Sequence, residues 1–225
     1  MKYENITPAV FLSRPNRFIA IVDIDGSEVT AHVKNTGRCS ELLIPGAEVF
    51  LTAPGTPGRK TQFDLVAVKK STGAFFNIDS QAPNAVVKEW LSEQSFGTIL
   101  PEYSFGRSRM DFYMERGEER FLMEVKGCTL EKNGVGYFPD APTKRGVKHV
   151  NELIAAKKAG FNPVLAFVIQ TGGVTQVRPN ASTHPEFAEA FYMAMAMGVK
   201  ILFLPCEVSP DILSVCNGII PEWLN

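Results

Sequence analysis

The sequence predicts an α+β protein of two domains, a small β-barrel over residues 1–80 and a mixed α/β domain over 81–225. Three observations predict it. Short alternating apolar runs, punctuated by Gly and Pro, crowd the stretch from residue 18 to about 68. Helical periodicity begins only after a stretch of small and polar residues near 73–83. Beyond it, helical segments alternate with strands, one of them a continuous apolar run of the buried kind. With 225 residues, 45% hydrophobic and 21% charged, the composition is that of an ordinary soluble protein, and each domain is long enough to bury a core.

In the first domain, residues 18–24 read as a strand, Asp25-Gly26 as a turn dipeptide, and residues 28–33 as the returning strand. Residues 48–52 follow the Pro45-Gly46 turn. A loop rich in Gly and Pro over 54–60 then leads into a strand over 62–68. So many short strands in so few residues predict a five-stranded barrel, of which the oligonucleotide-binding (OB) fold is the common case.

In the second domain, residues 84–94 place Val86, Val87, Trp90 and Leu91 at helical spacing. Residues 98–105 read as a strand, with Pro101 marking an edge or irregular position. Two alternating runs, 110–114 and 121–125, flank the polar segment 115–120 and predict an antiparallel hairpin. A turn over 132–136 follows. Thr143 caps a helix that runs to about 159 and stops at Gly160, with Val147, Val150, Leu153 and Ile154 as its packing stripe. Residues 163–169 are the buried strand, 185–197 a further helix, and 199–204 a last core strand.

The hairpin carries the chemistry. Side chains alternate along a strand, so Glu124 and Lys126 share one face, and Asp111 on the partner strand alternates with Met110 and Phe112. A register that joins the two polar faces brings Asp111, Glu124 and Lys126 to one spot. Two carboxylates there can hold a hard cation, and the ammonium can assist a water attacking a phosphodiester. The bare pattern also fits the wet face of a half-exposed sheet. The order of elements shifts the balance toward the site. A carboxylate on the second strand, Glu-x-Lys on the third and a basic helix afterwards is the layout of PD-(D/E)xK nucleases.

Net charge is −1, so any nucleic-acid binding must come from local patches. Candidate phosphate contacts in the barrel are Arg14 and Arg17 before the first strand, Asn35, Thr36 and Arg38 after the second, and Lys60 in the long loop. Ordinary solvated loop charges are the alternative for these. Residues 132–158 hold six Lys or Arg against two acids, the most basic local stretch, and contribute Arg145 and Lys148. None of His32, His149 and His184 has a partner histidine at metal-binding spacing. The four cysteines form no C-x-x-C pair, and buried thiols in a reducing cytoplasm are expected. No signal-peptide pattern and no membrane span is read, and oligomeric state is left open.

Longer segments carry a resemblance. Arg14-Pro15-Asn16-Arg17-Phe18, Asn35-Thr36-Gly37, the stretch from Arg107 to Phe112, that from Glu124 to Leu130, and especially residues 136–149 (GYFPDAPTKRGVKH) resemble the sugar fermentation stimulation protein A family, in its order and over nearly the full length. The resemblance implies an OB-like barrel joined to a PD-(D/E)xK domain, DNA binding, and an influence on sugar (maltose) metabolism. Carried onto matching positions, it implies a site of Asp111, Glu124 and Lys126, with Asn84 and Glu89 on the preceding helix and Arg145, Lys148 and His149 on the following one. Met110 stands where the nuclease motif has proline. On the nuclease reading, Asp111 and Glu124 ligate Mg2+ or Mn2+, the Val125 carbonyl is a further ligand, and Glu89 or Glu102 supplies a third carboxylate. Lys126 orients or deprotonates the water, and Arg145 and Lys148 grip the DNA backbone. The rival reading is a regulatory protein that binds DNA, single- or double-stranded, and performs no chemistry.

Overall fold

A computed structural model describes residues 1–35, 37–55 and 58–216. Its first six strands are β1 (Thr7–Asn16), β2 (Ile19–Ile24), β3 (Ser27–Val33), β4 (Glu48–Thr52), β5 (Phe63–Lys69) and β6 (Phe75–Asn77). They run in the order β3-β2-β1-β4-β5-β6, and β5 also pairs in parallel with β3 through Ala31–Phe63 and Val33–Leu65. That pairing closes a five-stranded barrel around Phe11, Val22, Val33, Leu51, Leu65 and Phe76. Asp25 and Gly26 both have positive φ, 51° and 84°, which is why the tight β2–β3 turn takes an Asp-Gly pair.

The barrel differs from the sequence expectation at its start. Arg14 lies within β1, ahead of the strand expected to come first. Pro8 and Pro15 disguise β1, although it sits between β2 and β4. Its pairing with β2 shifts register between Phe11 and Ser13 and again between Ser13 and Asn16. Pro15 falls within the second shift and Pro8 outside the β1–β2 pairs, the irregular and one-sidedly paired places where proline is tolerated in a sheet.

The second domain continues with α1 (Ala82–Ser92), β7 (Thr98–Phe105), β8 (Ser108–Arg116), β9 (Glu119–Cys128), β10 (Leu130–Lys132), β11 (Val135–Phe138), α2 (Lys144–Lys158), β12 (Asn162–Ile169), β13 (Val177–Pro179), α3 (Pro185–Ala196), β14 (Lys200–Val208) and β15 (Leu213–Val215). Its main sheet has the order β15-β14-β12-β9-β8-β7, with β9, β12 and β14 parallel and β7, β8 and β9 an antiparallel meander. The short strands β10, β11 and β13 form a separate small sheet.

Strand alternation sorts the core into two layers. Met123 and Val125 of β9 face Val86, Val87, Trp90 and Leu91 of α1. Leu122 of the same strand faces Val150, Leu153 and Ala156 of α2, with Phe187 and Phe191 of α3 behind them. Glu124 and Lys126 share parity with Leu122 and therefore point toward α2. That helix starts where expected, because the Thr143 hydroxyl accepts the Gly146 N–H at 3.0 Å.

The domains meet through a buried polar joint. The Asn77 N–H donates to the Gln170 carbonyl at 2.9 Å, and Gln170 Nε2 donates back to Asn77 Oδ1 at 2.9 Å and to the Asp79 carbonyl at 3.1 Å. Lys34 pairs with buried Asp79 at 2.7 Å. Gln170 also lies against Gly127, the residue after Lys126. A Cβ there would overlap Gln170 Oε1 and come within 2.8 Å of Pro83 Cγ. Gly127→Ala is therefore expected to destabilise the fold by about 1–3 kcal/mol, as an overpacked interior does. Urea unfolding checks this, and an unchanged midpoint would contradict it.

Candidate active site

The hairpin is built so that its ladder opens at the site. The β8–β9 pairs run from Arg116–Glu119 to Phe112–Met123 and stop. At the next step the Asp111 carboxylate takes over: Oδ2 accepts the Val125 N–H at 2.7 Å, and Oδ1 accepts Asn84 Nδ2 of α1 at 2.7 Å. Asp111 is thus held from two elements while a β-strand interior lies beside it. Across from it on β7, Glu102 has a positive φ of 56°, and the pairs on either side, Pro101–Phe112 and Tyr103–Met110, skip it.

Glu124 is the buried member, 2% exposed. Its Oε1 takes two close partners, Lys126 Nζ and His149 Nδ1. Arg145 Nε donates to His149 Nε2 at 3.4 Å. A guanidinium only donates, so Nε2 is the accepting nitrogen and Nδ1 carries the hydrogen toward Glu124. Glu124 Oε2 is buried and has no hydrogen-bond partner.

The two carboxyls are driven apart electrostatically. Burial first, and the neighbouring Glu124 charge second, raise Asp111 above the usual carboxylate range against the bonds from Val125 and Asn84. Burial also acts to raise Glu124, but the His149 hydrogen bond and the Lys126 ammonium outweigh it and hold Glu124 below that range. Glu124 is the anchored anion, and Asp111 is the strained one.

Beside this pair opens a cleft of about 500 Å3 walled by Arg107, Arg109, Lys144, Arg145, Lys148 and His149. Lys148 Nζ donates to the Arg107 carbonyl at 2.9 Å, which ties α2 to the β7–β8 turn. The sequence reading passed over Arg107, Arg109 and Lys144 as contacts. The signal for the two arginines is the Arg-Ser-Arg at the tight β7–β8 turn, which the antiparallel meander swings onto the side of α2, and Lys144 heads α2 itself.

The expected site residues divide into groups. Asp111, Glu124, Lys126, Asn84, His149, Arg145 and Lys148 converge. Glu89 does not join them: its carboxylate takes the Met1 amine at 2.6 Å, and it lines a separate hollow with Trp90 and Glu207. Five residues beyond Asn84, it sits about 140° around the helix. Glu102 pairs with Arg109 at 3.2 Å, both largely exposed. Among the described residues, no three His, Cys, Asp or Glu side chains form a ready-made metal cluster.

In the barrel, Arg14 gives its guanidinium to the carbonyls of Arg17, Asn35, Gly37 and Arg38 at 2.6–2.9 Å. Asn35 donates to the Ile78 carbonyl and accepts the Gly37 N–H. Apart from Arg14 Nε, which is buried without a partner, these side chains are engaged within the chain and build the loop rather than offering free donors to phosphate. Thr36 lies outside the described residues. Arg17, Arg38 and Lys60 are exposed, whereas Lys60's neighbour Arg59 is paired with Asp64.

Comparison with known proteins agrees with this architecture. Residues 12–78 match the family described as SfsA N-terminal OB domain, and residues 81–212 the one described as Sugar fermentation stimulation protein RE domain. A sugar fermentation stimulation protein homolog of Desulfitobacterium hafniense is 51% identical over 214 residues, covering 94% of this chain and 93% of its own. One of Clostridium beijerinckii is 47% identical, covering 96% of each. A solved structure, that of Pyrococcus furiosus SfsA in complex with Ca2+, superposes with a TM-score of 0.83 at 29% identity over 96% of both chains. An OB barrel and an α/β domain matched in order, with identity near one half over almost the whole length, mean that this chain belongs to the sugar fermentation stimulation protein (SfsA) family.

Proposed function

We propose that this protein is a phosphodiesterase of the PD-(D/E)xK type that cleaves DNA with the help of Mg2+ or Mn2+. The observation that carries the reading is the orphaned Glu124 Oε2, a buried anionic oxygen beside a second, destabilised carboxylate at the mouth of a basic cleft. A buried carboxylate oxygen with no donor is costly, and a cation shared with Asp111 offsets that cost. The donor set fits a hard ion that keeps open positions for water and phosphate: two carboxylates and the Val125 carbonyl, all oxygen. Ca2+ in the Pyrococcus furiosus relative supports the same chemistry, because Ca2+ also takes oxygen ligands.

Bound there, the cation supplies positive charge at the attacked phosphate and acidifies water at neutral pH. The chain's own residues do the rest. Lys126, held as an ammonium beside Glu124, donates a hydrogen bond that orients the attacking water, whose proton passes to solvent. His149 and Lys126 hold Glu124 as an anion, and Asn84 with the Val125 N–H holds Asp111 in place. Arg107, Arg145 and Lys148 bind the backbone on either side. Hydrolysis adds water across one P–O bond and leaves a phosphomonoester and a hydroxyl. A purely DNA-binding protein has use for the cleft but none for a buried carboxylate beside a second, half-buried one. The four cysteines, all free, suit a reducing compartment, and we place the protein in the cytoplasm. No helix among the described residues is long and apolar enough to cross a membrane.

Single- and double-stranded DNA incubated with Mg2+ or Mn2+ is expected to be cut, with cutting abolished by EDTA and by Glu124→Ala. Lys126→Ala is expected to cut about 10²–10³-fold more slowly, the range for losing one positioned hydrogen-bond donor at the reacting centre. Binding without cutting under every condition, or equal cutting by Glu124→Ala, contradicts the proposal.

The raised Asp111 carboxyl also sets a stability test. Its folded form resists ionisation, so its contribution is fully present below the unfolded carboxylate range and is lost as pH rises through its raised value. In EDTA at neutral pH, Asp111→Asn is therefore expected to stabilise the fold by about 0.5–2 kcal/mol, typical of a relieved functional strain. The gain should shrink on acidification. Added Ca2+ should raise the melting temperature of the wild type and not of the variant. A variant no more stable than wild type in EDTA, or equally shifted by Ca2+, contradicts the assignment.

A further inference from the structure

The first-domain segment Arg14-Pro15-Asn16-Arg17-Phe18 contains an aromatic side chain that the catalytic reading leaves without a role. Phe18 is 43% exposed, although apolar rings are normally withdrawn from water, and the Arg17 guanidinium lies 4.9 Å from its centroid. Among the described residues, Tyr192 is the other aromatic side chain exposed to this degree, and it sits on α3 among exposed methionines. Phe18 instead stands beside the Arg17 guanidinium.

Its placement is built. The Phe18 N–H donates to Asn16 Oδ1 at 2.9 Å, and its carbonyl accepts the Val33 N–H at 2.8 Å. Arg14 ties the carbonyl of Arg17 to those of Asn35, Gly37 and Arg38, so one guanidinium staples the β1–β2 turn to the loop after β3. A backbone fixed in this way lowers part of the ordering cost of presenting the ring to a flat partner.

That loop reaches the second domain. A Cβ on Gly37 would lie 2.5 Å from Asp140 Oδ2, and Asp140 is three residues before Thr143, the cap of α2. The rim that displays Arg17, Phe18 and Arg38 therefore borders the end of α2 from which Lys144, Arg145 and Lys148 line the cleft. The acid between the two patches is Asp140.

We propose that Phe18 is a stacking platform for an unpaired nucleobase, with Arg17 and Arg38 on the flanking phosphates, so that the preferred substrate carries a single-stranded segment running from the barrel rim toward the cleft. This rests on the nucleic-acid reading of the cleft and gives it a substrate class. A base paired in duplex offers its face only to its stack neighbours, whereas an unpaired base can lie on a ring, and an arginine beside that ring adds charge to the same contact.

The test measures binding in Ca2+ and again in EDTA, so that no cleavage is needed. Fluorescence anisotropy compares a single-stranded oligonucleotide with a blunt duplex of the same sequence, for wild type, Phe18→Ala and Phe18→Trp. Phe18→Ala is expected to weaken the single strand about 5- to 150-fold, the equivalent of one lost base stack, with the duplex unchanged. Phe18→Trp is expected to restore binding and to show tryptophan quenching by the single strand alone. Equal losses on both substrates, or no loss, overturn the stacking assignment while leaving the cleft's chemistry standing. Wild type that binds neither DNA overturns the nucleic-acid reading itself.

Discussion

The candidate site depends on one hydrogen bond, from the Val125 N–H to the Asp111 carboxylate. In an unbroken hairpin that N–H would belong to the backbone ladder. Here the ladder ends at Phe112–Met123, and a side chain takes the place of the next rung. A buried N–H must find an acceptor, so the position constrains both what Asp111 does and where β8 parts from β9. On the proposed reading, the parting of the strands is where a cation would reach both carboxylates. The opposed core layers hold that gap in place. Val125 is pinned beneath α1 and Leu122 against α2, so β9 cannot rotate to close it.

Around that bond the charges are arranged for unequal work. Glu124 has a lysine and a histidine on one oxygen and nothing on the other. Asp111 has neutral hydrogen-bond donors, a neighbouring carboxylate and only a minor pull from Lys126. Burial acts against both anions, and the difference between them lies in their partners. The basic residues of α2 and the β7–β8 turn stand just outside the pair, where the proposed function has them attract phosphate. Stability and function diverge here, since a fold selected for stability alone would pair or remove Asp111.

Much of this was legible in the sequence because period-2 alternation is unambiguous on a two-layer sheet. Glu124 and Lys126 had to share a face, and the hairpin brought Asp111 beside them. Five-residue spacing on a helix carries no such guarantee. Asn84 and Glu89 looked equivalent along the chain, but helical rotation sends Glu89 to the Met1 amine. Strand β1 was hidden by Pro8 and Pro15, and with it the true place of Arg14, whose side chain serves four carbonyls. The strands β10, β11 and β13 are three or four residues long, too short for any periodicity to register. The cleft cations Arg107 and Arg109 could be placed only by knowing which side of α2 the β7–β8 turn meets.

The central claim is that Asp111 and Glu124 share one hard cation. Anomalous scattering from a crystal of this protein soaked in Mn2+ tests it most directly. The account predicts a single strong peak within coordination distance of one oxygen of Asp111, of Glu124 Oε2 and of the Val125 carbonyl. A fully soaked crystal with no peak there, or with manganese bound elsewhere while both carboxylates keep their present partners, would contradict it.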